Sequence, residues 1–394
     1  MTRQFQVQVL NNVSATGLKR LPAEHFVCNK DVAAPDAMLL RSADLHAAGV
    51  PDSVIAIGRA GSGTNNIPVA AMSQRGAPVF NAPGANANAV KELVVAGMLM
   101  AARNIGGALK FVNALDAADE AMEKKVEAGK KAYAGYELVG RTLGVIGLGK
   151  IGCLVADAAV RMGMNVIGFD PEITVDAAWS LPSQVKKANS LADLLKGSHF
   201  VTLHVPLVDA TRAMINADNI AQMKNGSVLL NFSRAGVVAE DAVLAALESK
   251  RLATYVCDFP NARVNSNDNV IALPHLGAST REAEENCAVM VADQLRDYLL
   301  DGDVSNSVNF PSVAMARESA WRIAVANANV PNMVGQISTA LADAKLNIHN
   351  MVNKSKGDIA YTVVDVDSAV NASVIDAIAA IKGVLSVRYL PREE

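Results

Sequence analysis

Between Thr142 and Asp170 the chain passes through two apolar runs separated by a glycine-rich turn and an amphipathic stretch. Val145 and Ile146 end the first run, which has the unbroken apolar character of a strand buried on both faces. Ile151, Val155, Ala158, Ala159 and Met162 then recur at helix-face spacing, and the second run stops at Asp170. The pattern predicts strand, turn, helix, strand. It continues with strands over Phe200–His204, Val228–Asn231, Tyr255–Asp258 and Val270–Ala272, and with helices starting near Ser190, Ala217 and Ala239. Including Gly144–Ile146 and Val166–Phe169, these strands alternate with helices as in a doubly wound parallel sheet. Such sheets bind ligands beyond the carboxyl ends of their strands. The polar residues predicted there are Asp170, His204, Asn231–Arg234, Asp258 and His275.

Two further units flank this one. Residues 4–105 read as a small α/β unit with strands Gln6–Leu10, Ala37–Arg41, Val54–Gly58 and Val79–Asn81. A helix from Asn88 to about Arg103 is apolar on most sides, which predicts burial. The charged segment 116–131 reads as a solvated helix face, or as an arm reaching a partner subunit. Another amphipathic helix covers 282–300, and a linker over Ser305–Ser312 leads to the last unit. That unit reads strand Arg322–Ala326, helix Met333–Ala342, strands Ile348–Asn353 and Ile359–Val366, helix Ser373–Ile381 and strand Val384–Leu390. The order βαββαβ predicts a ferredoxin-like sandwich.

The 394 residues exceed one hydrophobic core and suit two or three domains. A net charge of −3 provides no global field for nucleic acid. Cys28, Cys153, Cys257 and Cys287 are scattered without metal spacing, which predicts reduced thiols, a cytoplasmic home and no metal site. Met1 to Leu10 alternates like a strand and lacks a signal-peptide apolar region. No apolar run reaches the ~18 residues that span a bilayer, so no membrane partner is expected.

Gly147, Gly149 and Gly152 have G-x-G-x-x-G spacing in strand–helix context. The first permits a tight turn, the second admits a pyrophosphate to the backbone, and the third lets helix and strand pack closely. The helix N-terminus then faces the phosphates. Asp170 stands where a ribose 2′-hydroxyl would be bound and a 2′-phosphate repelled, which favours NAD over NADP.

The segments G-R-A-G-S-G-T-N-N (58–66), N-A-P-G-A-N (81–86), G-L-G-K-I-G (147–152), H-V-P-L (204–207), N-F-S-R-A-G (231–236), C-D-F (257–259) and P-H-L-G-A-S-T (274–280) occur together in this order. In them the chain resembles the D-2-hydroxyacid dehydrogenases, and its last 75 or so residues resemble an ACT regulatory domain. The resemblance implies a substrate domain from 1–96 and 284–310, with an NAD domain of 97–283 inserted and a regulatory domain of 320–394. Both larger domains would carry doubly wound sheets, Rossmann-type in the NAD domain and flavodoxin-like in the substrate domain.

It implies oxidation of 3-phospho-D-glycerate to 3-phosphohydroxypyruvate, with His275 as acid/base and Arg234 as carboxylate and carbonyl clamp. Lys150, Ile151, His204, Pro206, Thr211, Ser233 and Gly277 would join the glycines and Asp170 around the cofactor, and Asp258 would hold the nicotinamide carboxamide. Arg41 and Arg59 would take the substrate phosphate, and the Ala60–Gly61 backbone its carboxylate. Asn329 and Asn347 would hold an L-serine effector in a homodimer or homotetramer. The family's glutamate partner of the histidine is absent, since Arg263 occupies its register, and Asp268 is the substitute considered. Dehydrogenation of another small D-2-hydroxy acid and a non-catalytic NAD-sensing role are the alternatives.

Overall fold

In the computed structural model of the chain, which describes residues 4–116 and 118–392, the first apolar runs pair into a parallel sheet. Met1–Arg3 of the expected N-terminal alternation, Ala117 of the charged segment and the last two residues of the final domain lie outside the described residues. The strands are β1 (Phe5–Leu10), β2 (Phe26–Asn29), β3 (Ala37–Leu40), β4 (Ala56–Arg59) and β5 (Val79–Phe80), in the order β2-β1-β3-β4-β5. That is the flavodoxin-like order. The sequence pattern missed β2, a four-residue edge strand in which only Phe26 is fully buried.

The chain divides into two compact units, one holding the residues up to Asn86 and again from Arg281, the other Ala87–Thr280. The second unit opens with helix α1 (Ala87–Ala102), which buries Val90, Val94 and Met98 as its apolar composition predicts. Its strands are β6 (Thr142–Ile146), β7 (Asn165–Phe169), β8 (Lys186–Lys187), β9 (Phe200–Leu203), β10 (Ser227–Asn231), β11 (Leu252–Cys257) and β12 (Val270–Ala272). They lie in the order β12-β11-β10-β9-β6-β7-β8, all parallel. This is the Rossmann arrangement, and the order reverses between β6 and β9. Helix α2 (Lys150–Arg161) covers one face with α1, and helix α3 (Glu240–Glu248) lies on the other. Strand β8 escaped the sequence pattern because its two residues are exposed lysines. Among the described residues no single helix is long and apolar enough to cross a membrane.

Helix α4 (Arg281–Asp301) returns the chain to the first unit, where Val291 and Leu295 lie against Gly58 of β4. A Cβ at Gly58 would approach Leu295 to 2.8 Å, so only glycine admits the helix this closely. The expected linker is not a free connector. Phe310 is buried in the core, and the Asn309 side chain accepts from the Val79 amide at 2.8 Å and donates to the Ala77 carbonyl at 3.0 Å.

The ferredoxin-like sheet that follows comprises β13 (Trp321–Ala328), β14 (Ile348–Lys356), β15 (Ile359–Val366) and β16 (Val384–Pro391), ordered β14-β15-β13-β16. Its period of two sorts the two faces. Ile323 and Val325 meet helices α5 (Met333–Asp343) and α6 (Ala372–Ala379), while Ala324, Ala326, Tyr361 and Leu390 join the core around α4. The sheet is thereby sandwiched between its own helices and the first unit, so it is built into that unit.

One ion pair sits inside the junction. Arg322 and Asp365 face each other across β13 and β15, both with 0% exposure. The guanidinium donates from Nε at 2.6 Å and Nη2 at 2.9 Å to the two carboxylate oxygens, and from Nη1 to the Asp301 carbonyl at 3.1 Å. The Glu318 amide supplies a further donor to Asp365 at 3.0 Å. Removing one partner strands a buried charge, which costs about 3–5 kcal/mol, whereas replacing both with apolar groups is often near neutral. We expect Asp365→Ala to lower the thermal midpoint by roughly 10 °C and Arg322→Met/Asp365→Leu to recover most of it. Additive losses in calorimetric scans would contradict the pairing.

Candidate active site

Strand β6 ends at Ile146, and Gly147 turns the chain at φ +88°. A Cβ there would meet the His204 carbonyl oxygen at 2.7 Å, so the turn demands glycine for both conformation and space. A Cβ on Gly152 would run into the Gly147 carbonyl, which sets how closely α2 approaches β6. Gly149 differs. Its φ is −74°, and nothing lies within 4 Å of where a Cβ would stand. The protein itself has no need of glycine at that position; a pyrophosphate lying against the backbone does. No side chain caps α2, so its first amides stay open to a phosphate.

Asp170 braces this turn, its carboxylate accepting from the Leu148 amide at 2.8 Å and the Glu172 amide at 2.9 Å. Its remaining lone pairs are those a ribose would use. His204 follows β9 with Nε2 3.0 Å from Thr202 Oγ1, and its Nδ1 is buried without a hydrogen-bond partner among the described residues. Burial pushes this imidazole down to about 3. Thr211 donates to the Pro206 carbonyl and so closes the loop beyond His204. Lys150 is exposed and Ile151 half-buried at the start of α2. The residues fit a dinucleotide.

At the neighbouring strand ends a second cluster forms. Ser233 is anchored by its hydroxyl on the Leu203 carbonyl at 2.9 Å, and Asn231 Nδ2 donates to the Arg234 carbonyl at 3.0 Å. These contacts fix the backbone of Arg234. Its exposed side chain donates from Nη1 to the Ser233 carbonyl at 2.7 Å and sets its guanidinium carbon 5.9 Å from the centroid of the Phe259 ring. Asp258 follows β11 with 1% exposure, and its carboxylate accepts from the Leu276 amide at 2.7 Å and the Gly277 amide at 2.8 Å. Burial raises its pKa, and the two amides oppose the rise. A Cβ on Gly277 would stand 3.0 Å from that carboxylate. His275, just before these amides, has φ +56°. A non-glycine residue held in the left-handed region costs of order 1–3 kcal/mol and persists only where its surroundings impose it. Here the surroundings are the Asp258 carboxylate and the Phe259 ring, 4.7 Å from the imidazole between centroids.

The comparisons agree with this geometry. Residues 96–277 match the family model described as D-isomer specific 2-hydroxyacid dehydrogenase, NAD binding domain. The chain is 34% identical over 303 residues to the D-3-phosphoglycerate dehydrogenase of Escherichia coli, covering 74% of this chain and 70% of that one. The chain belongs to the D-isomer specific 2-hydroxyacid dehydrogenases. A D-3-phosphoglycerate dehydrogenase of Methanocaldococcus jannaschii is 39% identical over 263 residues, 65% of this chain and 48% of its own length. The chain thus spans about half the length of several curated relatives it matches. Among solved structures, the NAD+-bound 3-phosphoglycerate dehydrogenase of Entamoeba histolytica superposes with a TM-score of 0.61 at 24% identity, over 78% of this chain and 99% of that one. At that identity the likeness concerns the fold.

Two expected roles, those of Asp268 and of the Ala60–Gly61 backbone, meet a different arrangement in this family member. Asp268 lies exposed in the turn entering β12, whereas His275 follows the other end of that strand, so the structure does not bring them together. Arg263, in the register of the family's glutamate, turns to Asp241 of α3 in an exposed ion pair. The Ala60 and Gly61 amides already donate to the Leu40 carbonyl at 2.7 Å and the Arg59 carbonyl at 2.8 Å.

Arg41 and Arg59 do sit together at adjoining strand ends of the first unit, with Arg59 Nε donating to the Arg41 carbonyl at 3.1 Å. Arg41 is also paired with Glu284 in the first turn of α4 at 2.6 Å. Asn329 lies by the 357–358 turn and Asn347 by Asp367, which puts them at opposite ends of β15 in one chain. Sequence reasoning missed Phe259 as a neighbour of His275 and Arg234, because ring proximity has no spacing signature.

His204 generates a pH prediction. The unfolded imidazole takes a proton near its ordinary 6.5, while the folded one resists to about 3. Its contribution is therefore complete above pH 6.5 and is lost as pH falls toward 3, at about 1.4 kcal/mol per unit. His204→Gln should flatten the fall in thermal midpoint between about pH 7 and pH 4.5. Parallel curves for the two proteins would refute the buried neutral imidazole.

Proposed function

We propose that this protein oxidises 3-phospho-D-glycerate to 3-phosphohydroxypyruvate with NAD, the opening step of L-serine biosynthesis. The observation that carries the reading is Arg41 and Arg59 at adjoining strand ends, in a chain whose relatives are named for this substrate. Two guanidinium groups at one place suit a dianionic phosphate. Glu284 pairs with Arg41 until a phosphate competes for it.

In the other unit, His275 takes the proton of the C2 hydroxyl as general base and returns it in the reverse reaction. Arg234 holds the substrate carboxylate and polarises the oxygen that becomes the carbonyl. Bound NAD supplies the acceptor for the hydride that leaves C2. Asp258 keeps the His275 loop in its strained conformation throughout, because its two amide contacts are made within the protein.

An effector held by both Asn329 and Asn347 requires two copies of the chain, since one chain keeps these residues at opposite ends of β15. The free thiols of Cys28, Cys153, Cys257 and Cys287 suit the reducing cytoplasm.

The test is NADH formation with 3-phosphoglycerate by the purified protein. His275→Asn should lower kcat by about 10²–10⁴-fold, and Arg59→Ala should raise KM for 3-phosphoglycerate by roughly tenfold or more with a smaller change for D-lactate. Equal effects of Arg59→Ala on both substrates would remove the phosphate assignment.

A further inference from the structure

Resting on the dehydrogenase reading above, we propose that Phe259 is a positioning residue that sets the orientation of the His275 imidazole and its spacing from Arg234. An imidazole that moves a proton in the transition state needs a second group to fix its ring, and the usual group is a carboxylate on the second ring nitrogen. The carboxylates near His275 in the chain are committed elsewhere. Asp258 accepts from the Leu276 and Gly277 amides and feels the His275 charge, but among the described residues no hydrogen bond or ion pair joins it to the imidazole. Asp268 lies at the far end of β12. Asp258 therefore fixes the backbone around His275 without a hydrogen bond to its ring.

Phe259 supplies the missing restraint. Its ring lies 4.7 Å from the imidazole between centroids, inclined at 58°, a tilted aromatic pair. The guanidinium carbon of Arg234 lies 5.9 Å from the centroid of the same ring, within cation–π range. One half-buried ring thus contacts both the proton-transfer group and the cation. Its own position is secured because it directly follows Asp258 at the end of β11. Shape and quadrupole do here what an acceptor does in a carboxylate–histidine pair. The ring defines where the imidazole lies but accepts no proton from it.

A restraint acting on the base in the transition state lowers kcat and kcat/KM together when removed, and leaves ground-state binding alone. We expect Phe259→Leu to reduce kcat with 3-phosphoglycerate at least tenfold, with KM and the NADH dissociation constant unchanged. Phe259→Tyr, which keeps the ring, should retain most of the activity. A Leu variant with wild-type kcat, a rise in KM in place of the kcat loss, or a Tyr variant as impaired as Leu would overturn the proposal.

An arm independent of turnover uses protein labelled with 13C-histidine, with the His275 signal assigned from His275→Asn. Its ring resonances should shift in Phe259→Leu through loss of the neighbouring ring current, and unshifted resonances would overturn the proposal. If wild-type protein failed to turn over 3-phosphoglycerate, the substrate reading would fall while this arm still decided the role of Phe259.

Discussion

The active site depends on how tightly strand β6 turns into helix α2. Gly152 brings the helix against the Gly147 carbonyl, and Gly147 packs on the backbone of His204 at the end of the neighbouring strand β9. With no side chain between them, helix N-terminus, strand ends and the Asp170 carboxylate converge on one edge of the sheet. The open space at Gly149 is what that convergence leaves. Parallel pairing then places Arg234, Asp258 and His275 along the same edge, because β10, β11 and β12 run in the direction of β6. The chemistry is thus a consequence of strand direction, and the loops add only the final orientation.

At that edge the Asp258 carboxylate performs a structural task as well as any contact with the cofactor. A carboxylate this buried loses hydration, and the amides of Leu276 and Gly277 restore two hydrogen bonds. In return the loop is held with His275 in a left-handed conformation. The ferredoxin-like C-terminal sheet is built by a similar exchange. Arg322 and Asp365 are costly to bury, yet their mutual bonds and those to Asp301 and Glu318 satisfy both groups and fix the register against α4. Helix α4 consequently carries Glu284 beside Arg41 at one end and grips the C-terminal sheet at the other, where Arg388 donates to the carbonyls of Tyr298 and Leu299.

Much of this was legible in the chain. The central runs of the Rossmann sheet, such as β9 and β10, are buried on both faces, so their unbroken apolar character located them. The bounds of β12 and, in the C-terminal sheet, β15 agree to the residue. The glycine spacing carried meaning because each glycine answers a separate physical demand. Edge strands were lost where few side chains are buried, as in β2 and β8. The segment read as a linker was misjudged because Phe310 and Asn309 act through packing and backbone contacts more than two hundred residues away in sequence, which no local pattern records. Asp268 looked available by proximity in sequence, but a parallel strand lies between it and His275. Phe259 went unnoticed for the converse reason: its importance comes from what faces it across strand ends.

The central claim is that the sheet edge at Gly149 is shaped for a dinucleotide and not merely for a tight turn. Calorimetric titration of NADH into wild-type protein and Gly149→Val, with thermal scans of both, tests it directly. The backbone there is compatible with a side chain and the space is open, so the variant should melt as wild type does while its affinity for NADH falls by two orders of magnitude or more, roughly 3 kcal/mol. Retained NADH binding in a normally folded Gly149→Val protein would contradict the account.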